Sequence, residues 1–449
     1  MLSQRSLGAA FKKASPSDDE FNRVSFLSHF DGTNNGTNNV FDDGSASNHT
    51  ITANGNVTQG SFGPFARPDG EWGVALDGTG DKLTLAASSD FAAGTGDFTF
   101  ETFLFKTETT SSSQYDGIFY SATTQRIKFQ ESDSIIKIQT SARDVAIVNN
   151  DQGTFIGVWR HLAVCRSSNT LRTYVDGTLA TTITLNSDET FGTSSPSVII
   201  GQNGDYFGGL MSNFRYVVGS ALYTGSSLTV PTAPLTAVTN TKLLTCQSNR
   251  FVDNSASAHT ITPSGNPSVS AFGPFLTSEV YDPAVNAASA YFDGGADYLT
   301  APDSDDFHLA NGDYTIEGWF YVKPQIYKQA IIGSWSNADR GWQARVEPNS
   351  GGLRMFWTFT TDGSSDSSED GIIVFNYNEW NHLAWVKYGS TTTFYVNGVF
   401  DSSFNSSGHN LHNSSAALKI GDWDSNQADF DGYMSDVRLV KGTAVYTSA

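Results

Sequence analysis

The 449-residue chain is poor in several residues that mark common functions. It has two Cys, too few for a disulfide framework, and no Cys/His spacing suited to zinc. The redox compartment is therefore unreadable. There are 26 Lys and Arg against 46 Asp and Glu, a net charge of −20. A protein that tracks phosphates needs clustered basic residues, so nucleic acid is excluded as a partner, as is charge-driven docking on anionic lipid. No run approaches the roughly 18 apolar residues of a membrane span, so no membrane insertion is expected. The N-terminus lacks the continuous apolar core of a secretory signal, and Lys12 and Lys13 follow its small apolar patch instead of preceding it. Charged residues of both signs make up only 16%, and neither helical periodicity nor heptads are sustained.

What is abundant points to strands. Aromatics reach 13%, Gly numbers 42, and Thr, Ser and Asn are frequent. Such residues suit pleated, half-buried surfaces joined by tight turns. Phe98, Phe100 and Leu104 alternate with Thr99, Glu101, Phe103 and Phe105, and Tyr314, Ile316, Phe320 and Val322 alternate with Thr315, Glu317, Trp319 and Tyr321. Both faces carry large side chains, which predicts strands covered on both sides. Asp176-Gly177 and Asn397-Gly398 predict two-residue hairpin turns. Short helical turns are expected at Ser89–Phe91 and Ser304–Leu309.

The strongest signal is an internal repeat. Phe41–Thr52 returns as Phe251–Thr262 and Phe62–Phe65 as Phe272–Phe275, both offset by 210. Leu76–Gly78 returns as Phe292–Gly294 and Asp97–Glu101 as Asp313–Glu317, offset by 216. Trp159–Ala163 returns as Trp380–Ala384 and Tyr174–Gly177 as Tyr395–Gly398, offset by 221. Met211–Arg215 returns as Met434–Arg438, offset by 223. So long a period makes each copy a whole domain. The expected boundaries are a tail at 1–23, a first sandwich at 24–235 ending in the linker Val230–Leu235, and a second at 240–449. The first copy runs past Tyr223-Thr224 into that linker while the sequence stops at Ala449, so either a further module follows or the last copy needs no linker.

The ordered strings Asp77-Gly, Asp97–Glu101, Trp159–Ala163, Tyr174–Gly177 and Met211–Arg215, with their second copies, resemble the laminin-G-like, concanavalin A-like lectin/glucanase superfamily. The resemblance implies an all-β fold of two tandem antiparallel jelly-roll β-sandwich domains. Ser61–Phe65, Leu243–Thr245 with Asp253–Ser255, and Gly219–Tyr223 resemble modules in virion proteins of marine bacteriophages, especially those of cyanobacteria.

That superfamily includes glycosidases, which work with paired carboxylates on one strand face. Only Glu131-Ser-Asp133 approaches the spacing, its third position is Ile135, and the second copy has no counterpart; no enzyme is expected. Glu101 with His161, and Glu317 with His382, are expected as buried structural pairs, because an unpaired buried charge is costly. No cofactor is required. Calcium is the metal that the acidic loops suggest, with Asp77, Asp81, Asp293 and Asp297 as matched ligands; Asp42, Asp43, Asp253 and Asn254 form a second pair of clusters. Turn chemistry is the competing reading of all these residues.

Sugar recognition needs aromatic faces beside polar groups. Two Trp, Trp72 and Trp159, lie in the first copy and seven in the second. Trp335, Trp342 and Trp423, with Arg340 and Asp422, stand in polar, loop-like stretches and are expected to form an exposed glycan platform. The expected protein is a non-enzymatic phage surface subunit: a fibre, appendage or capsid decoration. It would be attached to other virion proteins through residues 1–23, be oligomeric in the particle, and face cell-surface glycans outside the cell. A virion spacer without ligand, a polysaccharide hydrolase with an unrecognised site and a cellular adhesin are the rivals. The sequons at Asn35, Asn48, Asn405 and Asn413 are chance matches in so Asn- and Ser-rich a chain.

Overall fold

A computed structural model describes residues 24–29, 39–45, 47–54, 58–60, 71–107, 115–121, 125–130, 135–149, 154–192, 194–271, 274, 289–423 and 428–447. Outside them lie the 1–23 tail, Asn35, Ser61–Phe65, Glu131-Ser-Asp133, and most of Phe272–Phe275 and 424–427. The regular elements are strands paired antiparallel, apart from short 3-10 turns at Ser89–Phe91 and Asp305–Phe307. Ser88 and Ser304 cap those turns by accepting from the Asp90 and Asp306 amides.

The chain divides into two compact units. The central unit is Arg67–Ser278, and the terminal unit joins Met1–Ala66 to Glu279–Ala449. Each is built from an eight-stranded and a seven-stranded sheet, as a jelly-roll sandwich requires. In the terminal unit the eight-stranded sheet centres on Tyr314–Val322, flanked by Trp380–Tyr388 and Asp431–Lys441. In the central unit Phe98–Lys106, Arg160–Ser167 and Gly208–Val218 take the same places. Val175 faces Thr178 and Val396 faces Val399, so both predicted two-residue turns form, with positive φ at Asp176, Gly177, Asn397 and Gly398.

The boundaries differ from those the repeat suggests. The strands Val24–Ser28, Thr52–Asn54 and Thr58–Gly60 pair with Asp431–Lys441, Tyr298–Ala301 and Ser289–Asp293 of the terminal unit. Their second copies, Thr241–Thr245, Ile261–Ser264 and Ser268–Ser270, pair with Gly208–Val218, Lys82–Leu85 and Gly73–Asp77 of the central unit. The opening segment of each repeat thus completes the other sandwich, and the split at 235–240 is corrected to one at 66/67 and 278/279. The physical reason is that a repeat fixes a period and leaves its phase open. The exchange reaches the interior: Phe26 and Phe41 share a hydrophobic core with Phe292, Phe307, Ile316 and Leu439. Asp43 fastens the segment by accepting from the amides of Leu27, Ser45 and His49 and the Ser45 hydroxyl. Asp253 does the same for Leu244, Ser255 and His259.

Candidate functional site

Ile316, Phe320 and Val322 enter the terminal core, so alternation turns Glu317, Trp319 and Tyr321 to the opposite face of the eight-stranded sheet. On that face the expected Glu–His pair is one half of a four-residue constellation. Glu317 Oε1 accepts from Arg438 Nε at 2.7 Å and also from its Nη2. Glu317 Oε2 accepts from His382 Nε2 at 3.1 Å and from the Tyr446 hydroxyl at 2.6 Å. The central unit repeats it. Glu101 Oε1 accepts from Arg215 Nε at 2.9 Å and Nη2 at 2.6 Å. Glu101 Oε2 accepts from His161 Nε2 at 3.2 Å and the Tyr223 hydroxyl at 3.0 Å. Adjacent registers produce this: Glu317 faces Ala384 on one side and Arg438 on the other, as Glu101 faces Ala163 and Arg215. Sequence reasoning missed the Arg and Tyr, although both recur at the 223 offset.

Burial alone would raise the carboxyl pKa of these glutamates. The hydrogen bonds and charges of His and Arg outweigh it, lowering Glu101 and bringing Glu317 to about 2. Each is a fixed anion with both oxygens engaged, unsuited to acid catalysis. The Tyr446 and Tyr223 hydroxyls are pushed up by burial and by the adjacent carboxylate, so they stay protonated donors. The two copies differ in access. His161 and Glu101 side chains are fully buried, whereas those of His382 and Arg438 are each 20% exposed.

Beside the terminal constellation runs an aromatic row across four strands. Tyr291 lies 4.9 Å from Tyr433, Tyr433 5.7 Å from Tyr321, and Tyr321 5.8 Å from Trp380, ring centre to ring centre. Tyr321 and Trp380 are buried, while Tyr291 and Tyr433 are half-buried. Lys323 stands 4.5 Å from the Tyr291 ring and donates to its hydroxyl at 3.0 Å. Burial disfavours the Lys323 charge, but Tyr291 and Asp431 overcome this and raise its pKa. Half-buried Trp319 lies 5.4 Å from the His382 ring. In the central unit the matching register positions hold Ala75, Leu210, Phe105 and Trp159, with no phenol and no cation.

The platform expected from the sequence is corrected. Trp335, Trp342 and Trp423 are 5%, 1% and 4% exposed. Trp342 sits in the main core and donates from its indole to the Phe307 carbonyl at 2.8 Å. Trp335 and Trp423 form a satellite cluster with Ala330 and Ala428. Arg340 covers Trp335, while Lys328 and Arg345 cover Trp423. Polar neighbours in sequence there shield the indoles instead of presenting them. Arg340 itself binds Asp366 and the Ser364 carbonyl, and Asp422 lies 3.5 Å from Lys419.

The acidic loops do not fit calcium. Both Asp81 oxygens accept backbone amides, from Asp77 at 3.0 Å and Asn266 at 2.6 Å. Burial, outweighing those bonds, raises the Asp81 pKa. Asp77 closes its own turn by accepting from the Thr79 amide and hydroxyl. Asp297 accepts from the Asp293 amide, and Asp293 from that of Gly295. Among the described residues no three Asp, Glu, His or Cys side chains converge as a metal-binding group.

The family model described as the concanavalin A-like lectin/glucanases superfamily matches residues 77–221 and again 293–444. The chain belongs to that superfamily. Each match covers the body of one sandwich and both members of its Glu–His pair. No curated protein matches the chain. Among solved structures, this superfamily member is similar to the binding domain of Paraclostridial Mosquitocidal Protein 1 (11% identity, TM-score 0.31), over 36% of this chain and 41% of that one. It is similar to domain 4 of an extracellular arabinanase from Geobacillus stearothermophilus in complex with arabinotriose (19% identity, TM-score 0.28; 35% of this chain, 73% of that one). It is also similar to a pair of laminin G-like domains of the mouse laminin α1 chain (11% identity, TM-score 0.26; 84% and 92%).

Proposed function

We propose that this protein is a non-enzymatic, lectin-like surface subunit of a phage particle that attaches to host glycans through its terminal unit. The observation that carries the glycan reading is the half-buried Tyr291–Tyr433 pair with Lys323, beside Trp319 and His382. Sugar C–H patches stack on aromatic faces, and phenol, ammonium and imidazole groups serve the hydroxyls. The superfamily match supports a lectin-like role. The engaged glutamates, their carboxyl pKa values lowered by His and Arg, support a non-enzymatic one. The virion assignment rests on the resemblance to marine phage modules. Display in many copies would turn weak single-site affinity into firm attachment.

Glycan-array binding of the intact chain tests this reading. Tyr433→Ala and Tyr291→Ala should abolish the signal, while a cooperative melting curve shows that each variant remains folded despite the lost ring contacts. No glycan signal for the parent chain, or signal unchanged in both variants, would defeat the reading. Mass spectrometry and imaging of purified particles test the virion role separately.

A further inference from the structure

The seven-stranded sheet of the central unit buries Leu83, Ile127, Ile138 and Ile200 on one face. Alternation turns Lys82, Arg126 and Gln139 to the other. Register sets Thr84, Ile199, Tyr120, Arg126 and Gln139 side by side across five strands. Lys82 donates to Gln202 Oε1 at 3.1 Å, with the Tyr206 ring 6.0 Å away. Arg126 donates from Nε to Gln139 Oε1 and from Nη1 to Asn203 Oδ1. Two consecutive carboxamides, Gln202 and Asn203, thus hold both cations. Lys82 and Arg126 are half-buried, and neither pairs with a carboxylate among the described residues. Asn203 is 5% exposed, and its Nδ2 has no hydrogen-bond partner among the described residues.

The terminal unit has the same sheet with different chemistry. Its matching row is Thr300, Lys419, Gly333, Gln343 and Thr358, so Gln343 stands where the central unit has Arg126. The cations on that face meet carboxylates: Lys419 lies 3.5 Å from Asp422, and Arg345 2.7 Å from Glu347. A cation held by a carboxamide oxygen is fixed in place and keeps its full charge, whereas a carboxylate neutralises it. Each carboxamide that accepts through its oxygen retains two N–H donors. The bonds of Arg126 use Nε and Nη1, so both Nη2 hydrogens remain for a carboxylate. Lys128, on the same strand, takes no part, because Asp144 pairs with it and the Tyr115 ring covers it.

We propose that this face of the central unit binds an acidic polysaccharide. Ring carboxylates pair with Arg126 and Lys82, and hydroxyls meet the carboxamides of Gln139, Gln202 and Asn203 and the phenol of Tyr120. Charge complementarity carries the choice of an anion. The spacing of the charges favours a sugar chain over a nucleic acid. Lys82 and Arg126 stand three strands apart, roughly 14 Å, with neutral polar groups between them. A protein that tracks phosphates clusters its cations instead. The aromatic row of the terminal unit plays no part here, so the two sites stand or fall separately.

The probes are short oligogalacturonate and oligoalginate, titrated into the full chain by calorimetry beside the same sugars with their carboxyls methyl-esterified. Saturable binding of at least one acid form, weakened by added salt, is expected, with none of its ester. Arg126→Gln should weaken that binding at least ~10-fold and Lys82→Gln several-fold, both with melting curves like the parent's. Tyr433→Ala should leave it unchanged, which separates this site from the terminal one. No saturable binding of either acid form overturns the proposal, as does equal binding of the ester. Affinity that survives the Lys82→Gln/Arg126→Gln double variant, that is lost in Tyr433→Ala, or that single-stranded DNA of equal charge matches would overturn it too.

Discussion

Glu317→Gln removes the charge at the centre of the terminal constellation and keeps its shape. The parent carboxylate is 5% exposed and takes hydrogen bonds from Arg438, His382 and Tyr446. Although burial opposes ionisation, His382 and Arg438 hold its pKa at about 2, against 4.5 for an ordinary carboxyl. That gap corresponds to roughly 3 kcal/mol of stabilisation. Breaking a buried ion pair by removing one partner costs about 3–5 kcal/mol, so two routes agree. For a unit of this size the loss is roughly 6–12 °C in melting temperature. The folded pKa is depressed, so the stabilisation is complete above the unfolded value of 4.5 and is lost as pH falls through about 2. The gap between parent and variant should therefore be widest at neutral pH and close in strong acid. Trp emission is a selective probe, because seven Trp lie in the terminal unit and only Trp72 and Trp159 in the central one. A variant melting within about 1 °C of the parent at neutral pH would refute the structural role. Retained stability with lost glycan binding would move Glu317 into the binding site.

Other consequences follow from the same contacts. Trp342→Ala should cost about 3–5 kcal/mol in urea titrations, as a core indole, and an array signal lost without that cost would restore the platform reading. Asp43→Ala should remove about 2–3 kcal/mol and be seen in the Trp emission of the terminal unit, since Asp43 caps a segment seated there. Unchanged emission curves would contradict the exchange of segments. Melting temperatures in chelator and in millimolar calcium should coincide within about 1 °C, and a clear rise with calcium would show that the Asp77/Asp81 or Asp293/Asp297 loops bind it.

The strands, both hairpins and the capped short turns were legible because each is set by neighbours in sequence. The Glu–His pairs were legible because both partners recur and the glutamates sit within aromatic-rich strands. Arg438 and Tyr446 escaped although they recur at one shared offset, since nothing local shows that strand pairing sets Arg438 beside Glu317 or that the segment after that strand returns Tyr446 to it. Trp335 misled for the converse reason. Ser336–Arg340 makes a polar stretch, but Arg340 folds back over the indole and long cationic side chains bury what they border. Tyr291 and Tyr433, the pair proposed to meet glycans, lie 142 residues apart and meet only through strand pairing.

The exchange of opening segments changes what a module of this chain is. A linear repeat cut at 235–240 would leave Gly208–Val218 without its partner Thr241–Thr245, and Asp431–Lys441 without Val24–Ser28. Each strand so exposed carries the constellation arginine, Arg215 or Arg438, paired across the lost strand to Leu244 or Leu27. Cutting there would therefore loosen the buried carboxylate as well as the sheet edge. The terminal unit, which carries the aromatic row, is closed by residues from both sides of the central unit in sequence. Its aromatic row therefore depends on the pairing of segments that the central unit separates in sequence.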